Sequence, residues 1–518
     1  MLPRGCSPSQ QHLDPAISQR PDAAEGWSRP IEINMASCRY RDLSMRTQNR
    51  FLKLFSQARI RLLCSMICCI AFAAHAQDAV PNGAFNTNTS PASAEAKVKT
   101  SEATQDRWSL HAQSTFIWQR KSAFDAPYTG PQSLRTAREY SHTWSATAFL
   151  GVRLWQGGEF YLNPESVAGM PLSDLYGLAS INNGEIQKNG GPIPREYFAR
   201  FFLRQTFGLG GEQLQVNDGP NQVASNYDRR RIVFTAGKIA QTDIFEKSSY
   251  ANDPRSQFLN WALITHGAWD YAADARAYTI GVAGEWYIDD WVIRAGRFME
   301  PDTANGTVLN YNVGRFHGDQ FELEYGHVIG GLPGAVRFMA FRNRALAGNY
   351  RDAVNAARAT GELPDVSNVR KDASKTGFAI SLEQRLTSEI GLFLRASTAD
   401  DKVEEYAFTE IDNTGSGGLS MQGDHWHRPN DTFSIAFSTS GLNRDHRDYL
   451  AAGGLGGFLG DGQLKRYGRE SVIEAYYNMQ IVKGLNFTLD FQQITNPGYN
   501  ADRRGPVRVV GGRLRWGL

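Results

Sequence analysis

An all-β chain that crosses a membrane as a closed antiparallel barrel of about sixteen strands is the fold class this sequence predicts. Three observations predict it: long segments alternate apolar and polar residues, aromatic residues gather at the ends of those segments, and every cysteine precedes the cleavage point of an export signal. The bulk composition alone reads as soluble, with 518 residues, a net charge of +2 and 21% charged residues, and a mean hydropathy of −0.42. Near-neutral charge argues against a nucleic-acid binder, which carries a basic face and a high pI. No segment beyond the export signal approaches the ~20 consecutive apolar residues of a spanning helix. Any membrane crossing therefore falls to strands.

Residues 1–44 are rich in Pro, Ser and Gln without periodicity and fit an upstream extension outside the mature fold. Residues 45–76 have the layout of a signal peptide. Arg46, Arg50, Lys53, Arg59 and Arg61 precede an apolar stretch from Leu62 to Ala74, and Ala74-His75-Ala76 is a small-x-small exit, placing cleavage before Gln77. The stretch is short for an anchor and no stop-transfer pattern follows. Cys6, Cys38, Cys64, Cys68 and Cys69 all precede that cleavage. An exported chain without thiols needs another source of stability, and a closed barrel with every backbone group paired is one. Residues 77–106 are small, polar and aperiodic, as in a flexible leader.

The pattern changes at Trp108, and residues 107–518 read as the barrel. Trp108, Leu110, Ala112, Phe116 and Trp118 alternate with Ser109, His111, Gln113, Thr115 and Gln119, the period of a two-faced strand. The same alternation places Trp144, Ala146, Ala148, Leu150, Val152 and Leu154 on one face. It does the same for Tyr197, Ala199, Phe201, Leu203 and Phe207, and for Tyr278, Ile280, Val282 and Trp286. Trp291, Ile293 and Ala295, then Phe321, Leu323 and Tyr325, then Phe378, Ile380 and Leu382 continue it. The clearest hairpin joins Ile473–Ile481 to Leu485–Phe491 through Val482-Lys483-Gly484. About fifteen segments carry the pattern, and bacterial single-chain barrels use even strand numbers, which makes sixteen the expected count. Many segments run ~9–11 residues, the length of an oblique bilayer crossing, against ~5–6 in a soluble sandwich. Aromatics at strand ends, such as Trp108 with Trp118, Trp144 with Trp155, and Tyr278 with Trp286, suit two interfacial girdles. Leu514, Trp516 and Leu518 alternate to the last residue, as in a closing strand, although such strands usually end in Phe.

Several stretches carry a family resemblance. FYLNPESVAGMPLSDLYGLASINNGE (160–185), YFARFFLRQTFGLGG (197–211), AGKIAQTDIFEKSSYANDPRSQFLNWAL (236–263) and GAWDYAADARAYTIGVAGEWY (267–287) are four of them. NYNVGRFHGDQFELEYGH (310–327) and NPGYNADRRGPVRVVGGRLRW (496–516) complete the set. Over roughly residues 107–518 the chain resembles the carbohydrate-selective porin family. That resemblance implies a sixteen-stranded outer-membrane barrel with long extracellular or inward-folded loops. It also implies a water-filled lumen whose charged and polar constriction favours passive diffusion of monosaccharides such as glucose and other small polar solutes.

A sugar offers hydroxyls and C–H faces but no charge, so its channel needs weak paired donors and acceptors. Strand parity puts Arg200, Arg204, Glu285, Arg294, Glu322, Glu324, Arg337, Glu383, Arg385, Glu474 and Asp490 on the lumen face. They are candidate channel-lining or substrate-binding residues, and the alternative is solvated charges that pair across the wall. The block from Asp243 to Arg276 breaks the alternation for longer than a periplasmic turn allows. Asp243, Asp253, Arg255, Asn260, Asp270, Asp274 and Arg276 in it, with Asn163 and Glu165, are candidates for the constriction, the alternative being a hydrogen-bonded structural loop.

No catalytic set emerges: Gly-x-Ser-x-Gly, Walker and His-Glu-x-x-His motifs do not occur. His425 and His427 are too few ligands for a metal site, and no cofactor or metal is expected. Expected partners are small sugars, outer-membrane lipid and lipopolysaccharide, with no nucleic acid, and the barrel is a monomer or a trimer. Asp228-Arg229-Arg230-Arg231 is a basic run that fits anionic headgroups or lipopolysaccharide phosphates, or simply a solvated rim. A barrel enzyme acting on lipids, or a barrel adhesin or receptor, remains the alternative function. His111 and Ser114, candidates for such an enzyme, fall on opposite strand faces.

Overall fold

The computed structural model describes residues 106–518 apart from 189, 190 and 401. The expected extension, signal peptide and nearly all of the leader lie outside those residues. The barrel begins with β1 (Trp108–Lys121), β2 (Glu139–Trp155), β3 (Gly158–Met170) and β4 (Arg195–Gly208). A small hairpin, β5 (Gln213–Val216) and β6 (Ser225–Asp228), stands apart from the wall. The wall continues through β7 (Arg231–Ile239), β8 (Thr279–Ile288), β9 (Trp291–Met299), β10 (His317–Ile329), β11 (Leu332–Ala347) and β12 (Lys371–Arg385). It ends with β13 (Ile390–Ala399), β14 (Asn413–Gly423), β15 (Arg428–Gly441), β16 (Glu470–Val482), β17 (Leu485–Thr495) and β18 (Val507–Gly517).

Sixteen of these strands close into one antiparallel barrel, β18 pairing with β1 from Gln113↔Gly517 to Lys121↔Val509. Closure pairs every wall strand on both edges, the condition for crossing hydrocarbon with strands. The outer face is apolar as the parity predicts, with Leu110, Phe116, Trp118, Val282, Trp286, Phe321, Phe378, Ile380 and Leu489 all exposed. At one end the strands meet in tight turns, Gln156–Gly157, Asp289–Asp290, Gly330–Gly331 and Lys483–Gly484. Gly484 turns there at φ 77°, a left-handed value that favours glycine. The other end carries the long loops, two of them with the helices Tyr350–Thr360 and Arg444–Ala451. In outer-membrane barrels the short turns are periplasmic and the long loops extracellular.

Two parity expectations are corrected. Tyr197 and Ala199 do not share the outer face with Phe201 and Leu203. Asn163 pairs with Arg200 and Pro164 with Phe198, so Ala199 is an extra residue in β4 opposite Pro164, which has no N–H to give the ladder. The bulge turns Phe198 outward and Tyr197 inward, where its hydroxyl donates to Glu165 at 2.5 Å. Tyr278 is likewise buried, not in an outer girdle, and donates to Glu165 at 3.1 Å. Ala277 at φ 71° and the Asp274 carboxylate, which accepts the Arg276 and Tyr278 N–H groups, bend the chain inward just before β8.

Candidate functional site

Residues 240–278, between β7 and β8, fold into the lumen. A chain segment there has amide and carbonyl groups that no ladder pairs, and each needs a partner. The wall supplies them. Glu322 accepts from the Glu246 N–H at 2.7 Å, Glu383 from Ser249 at 2.9 Å, and Glu474 from Leu259 and Asn260 at 2.5 and 2.9 Å. Arg395 donates to the Ala251 and Leu263 carbonyls at 2.5 and 2.7 Å and pairs with Glu246 at 2.6 Å. Arg513 donates to the Pro254 and Gln257 carbonyls at 2.8 and 2.7 Å. Aromatic packing fills the space behind, with Trp261 stacked on Phe408 at a centroid distance of 4.8 Å and Tyr271 tilted against it at 4.6 Å.

Six of the sequence candidates form one charge ladder over five adjacent strands. Arg294 meets Glu285 at 3.2 Å, Glu322 at 2.7 Å and Glu324 at 2.8 Å, and Arg337 meets Glu324 at 3.1 Å and Glu383 at 3.0 Å. The expectation that these six, with Glu474 and Asp490, face an aqueous lumen is corrected: all eight are buried. The inward segment displaces water from this part of the wall, and a charge so placed persists only with an opposite charge or a hydrogen-bond partner. These side chains hold the segment in place.

Glu165 is a second hub. It accepts from Thr147 at 2.6 Å and from Tyr197 and Tyr278, and pairs with Arg255 at 2.7 Å. Arg255 also meets Glu185 at 2.8 Å, and Glu185 meets Lys188 at 2.8 Å, which ties wall, inward segment and an extracellular loop together. Burial opposes the charge on both Arg255 and Lys188, yet the surrounding carboxylates raise both above their ordinary values.

The other candidates divide into positioning groups and partly open ones. The Asp253 carboxylate caps its own turn through the Arg255 N–H at 2.9 Å, Asn260 caps a short helical turn at Ala262, and Asp270 accepts from Tyr406 and Ala407 at 2.9 and 2.7 Å. Arg276 lies 4.5 Å over the Tyr197 ring. Arg200 grips Asp243 with two bonds of 2.6 and 2.7 Å, and the Asp243 side chain stays 30% exposed. Burial works against ionising Asp243, but Arg200 outweighs it and holds the carboxyl below its usual range. Arg204, Asp253 and Arg385 are also half-buried, as is Lys247, which the sequence reading did not single out.

A second insertion comes from the turn end. Residues 209–230 form the β5–β6 hairpin, and its tip reaches the inner wall of β1–β4. Asn163 donates to Asn221 at 2.8 Å, Arg204 to the Asn221 carbonyl at 3.0 Å, and Arg153 to the Ala224 carbonyl at 2.7 Å. The Val223 N–H donates to the Tyr161 hydroxyl at 3.2 Å, and His111 meets Asp218 at 2.8 Å. Asn221 adopts φ 59°, which folds the tip back on itself. The basic run Asp228–Arg231 belongs to this end, with Arg229 on Asp290 and Arg230 on Asp289, each at 2.8 Å.

Sequence reasoning missed Arg395, Arg513, Glu246, Lys247 and the hairpin. Parity could have found the first two, because Leu394 and Leu514 point outward beside them. Among the described residues, Glu405, Asp412 and His446 bring ligand atoms within 4.8 Å of one another and form the donor set able to hold a metal ion. Lys375 lies 3.0 Å from Glu405 there. His425, by contrast, sits at the turn end beside Glu389.

The profile of the carbohydrate-selective porin, OprB family, matches residues 131–518. No curated protein sequence matches the chain. Among solved structures, OprB of Pseudomonas putida at high pH is 17% identical with a TM-score of 0.59, the match covering 80% of this chain and 94% of that one. OmpF of Salmonella typhi, in complex with daunomycin, is 8% identical with a TM-score of 0.44 over 80% of this chain and 98% of that one. The first of these shares the fold. With the closed barrel, its apolar exterior and its charged interior already in view, the family match places the protein: this chain belongs to the carbohydrate-selective porin, OprB family, and is an outer-membrane channel for sugars.

Proposed function

We propose that monosaccharide-sized sugars pass this barrel through a constriction set by the inward segment 240–278, where Asp243, Lys247 and Asp253 face the wall residues Arg200, Arg204 and Arg385. The observation that carries the reading is the clamping of that segment by wall carboxylates and guanidiniums, which leaves these six half-buried among otherwise buried charges. Both signs line the passage, so neither cations nor anions are strongly favoured, and each contact is weak enough for a neutral solute to leave. The hairpin tip around Asn221 narrows the path a second time from the periplasmic side. The mature chain begins at Gln77 after signal cleavage. Planar-bilayer recording with a glucose titration tests the channel: a steady conductance that falls as glucose rises supports it, and a silent bilayer overturns it. Intact mass of the exported protein tests the cleavage site.

A further inference from the structure

The outer wall carries three arginines at the extracellular ends of three neighbouring strands. Arg120 on β1 lies opposite Tyr140 on β2 and Val510 on β18. One step further, the Ser122 N–H donates to the Arg508 carbonyl at 2.8 Å, and Arg138 directly precedes Glu139, the partner of Lys121. Lys121 and Val509 are buried on the inner face, so alternation puts Arg120 and Arg508 outside, and Arg138 is exposed. On the same face stand Trp118, one pleat below Arg120, and Tyr140 and Val510, level with Arg120; the Trp118 and Tyr140 ring centroids are 6.2 Å apart and all three residues are exposed.

The patch has no counter-charge of its own. Among the described residues, none of the three guanidiniums has an ion-pair or hydrogen-bond partner. Glu139 is turned away, accepting from the Ser173 N–H and hydroxyl at 3.1 and 2.7 Å and facing Lys121. Two other outer-face arginines are neutralised, Arg297 by Asp319 and Arg315 by Asp372, each through two bonds of 2.6–3.0 Å. Three unpaired guanidiniums at the extracellular edge of an aromatic cluster lie where hydrocarbon gives way to headgroups. At this end those headgroups belong to the outer leaflet, whose glycolipid carries phosphates on its sugars. A guanidinium matches a phosphate with two parallel hydrogen bonds, and the aromatic rings beside them suit the sugar and acyl boundary.

We infer that Arg120, Arg138 and Arg508 form a docking site for the phosphorylated sugar headgroup of outer-leaflet lipopolysaccharide. The site lies on the outside of the barrel, so its occupancy is separate from solute passage through the lumen. The test uses the mature barrel in phosphatidylcholine nanodiscs with added bisphosphorylated lipid A, bound lipid being counted by native mass spectrometry. Wild-type protein is expected to retain lipid A. The R120Q/R138Q/R508Q variant is expected to lose at least tenfold in retention, and lipid A stripped of its phosphates to bind wild type as poorly. The R297Q/R315Q variant, which alters arginines already neutralised, is expected to retain lipid A like wild type. Equal retention by the triple variant overturns the inference, and so does equal binding of phosphatidylglycerol by wild type, which marks unspecific anion adsorption. Single variants R120Q and R508Q read the same loss in steps if the triple variant fails to fold.

Discussion

Glu165 and Arg255 meet at 2.7 Å inside the barrel, one from the wall strand β3 and the other from the Asp-Pro-Arg turn of the inward segment. Both are buried, and Arg255 holds Glu185 as well. The substitution Arg255→Ala leaves two buried carboxylates short of their counter-charge, and breaking such a pair costs about 3–5 kcal/mol. The segment should then lose hydrogen-exchange protection across residues 240–278, and single-channel currents should become larger and noisier. Wild-type exchange with quiet currents would show that the clamp is not needed.

Asp243 is the acidic member of the partly open Arg200–Asp243 pair. Asp243→Asn frees the charge on Arg200 without changing the size of the side chain. The reversal potential in a salt gradient should move toward anion preference, while glucose block changes little. An unchanged reversal potential would place the pair outside the conduction path.

The hairpin of residues 209–230 is removable by design of the wall. Gly208 already pairs with Arg231, so a two-residue turn can replace the hairpin without disturbing the β4–β7 register. The shortened protein should fold to the same barrel and conduct more current per channel. Unchanged conductance would mean that the tip at Asn221 stands clear of the path.

Acid and alkali should both loosen the extracellular loops at one junction. Tyr128 donates to Asp461 at 2.7 Å, and Asp461 also accepts from the Leu464 and Gln463 N–H groups at 2.8 and 3.0 Å. Burial opposes ionisation of Asp461, yet the Tyr128 hydroxyl and these amides hold its carboxyl below its ordinary value. A depressed carboxyl contributes stability above the unfolded value near 3.8 and loses it as pH falls further. Burial, then the Asp461 carboxylate, push the Tyr128 phenol up to about 12, so its contribution is complete below pH 10 and disappears between about 10 and 12. Limited proteolysis should find these loops resistant between those limits, and Asp461→Asn should soften the acid edge. A cleavage rate independent of pH would count against the junction.

The outward rows of the barrel were legible because a strand's face is a local property. Trp118, Phe321, Ile380 and Leu489 each follow from alternation with their own neighbours, and turn residues such as Gly484 mark where one strand ends. The reading failed where one residue broke the count. Ala199 bulges because its partner across the sheet is Pro164, and no property of Ala199 itself announces that. Tyr278 turned inward because Asp274 captures its amide.

By itself the sequence determined a closed barrel of sixteen strands, its apolar exterior and a long interruption between Asp243 and Arg276. Only the tertiary structure decided what the inward charges do. Glu322 and Glu474 read as lumen-lining on parity, but they end at backbone amides of Glu246, Leu259 and Asn260, far away in the chain. Parity fixes which face a side chain takes. What waits on that face depends on a segment folded in from elsewhere, and once that segment excludes water, burial turns a solvated charge into a clamp.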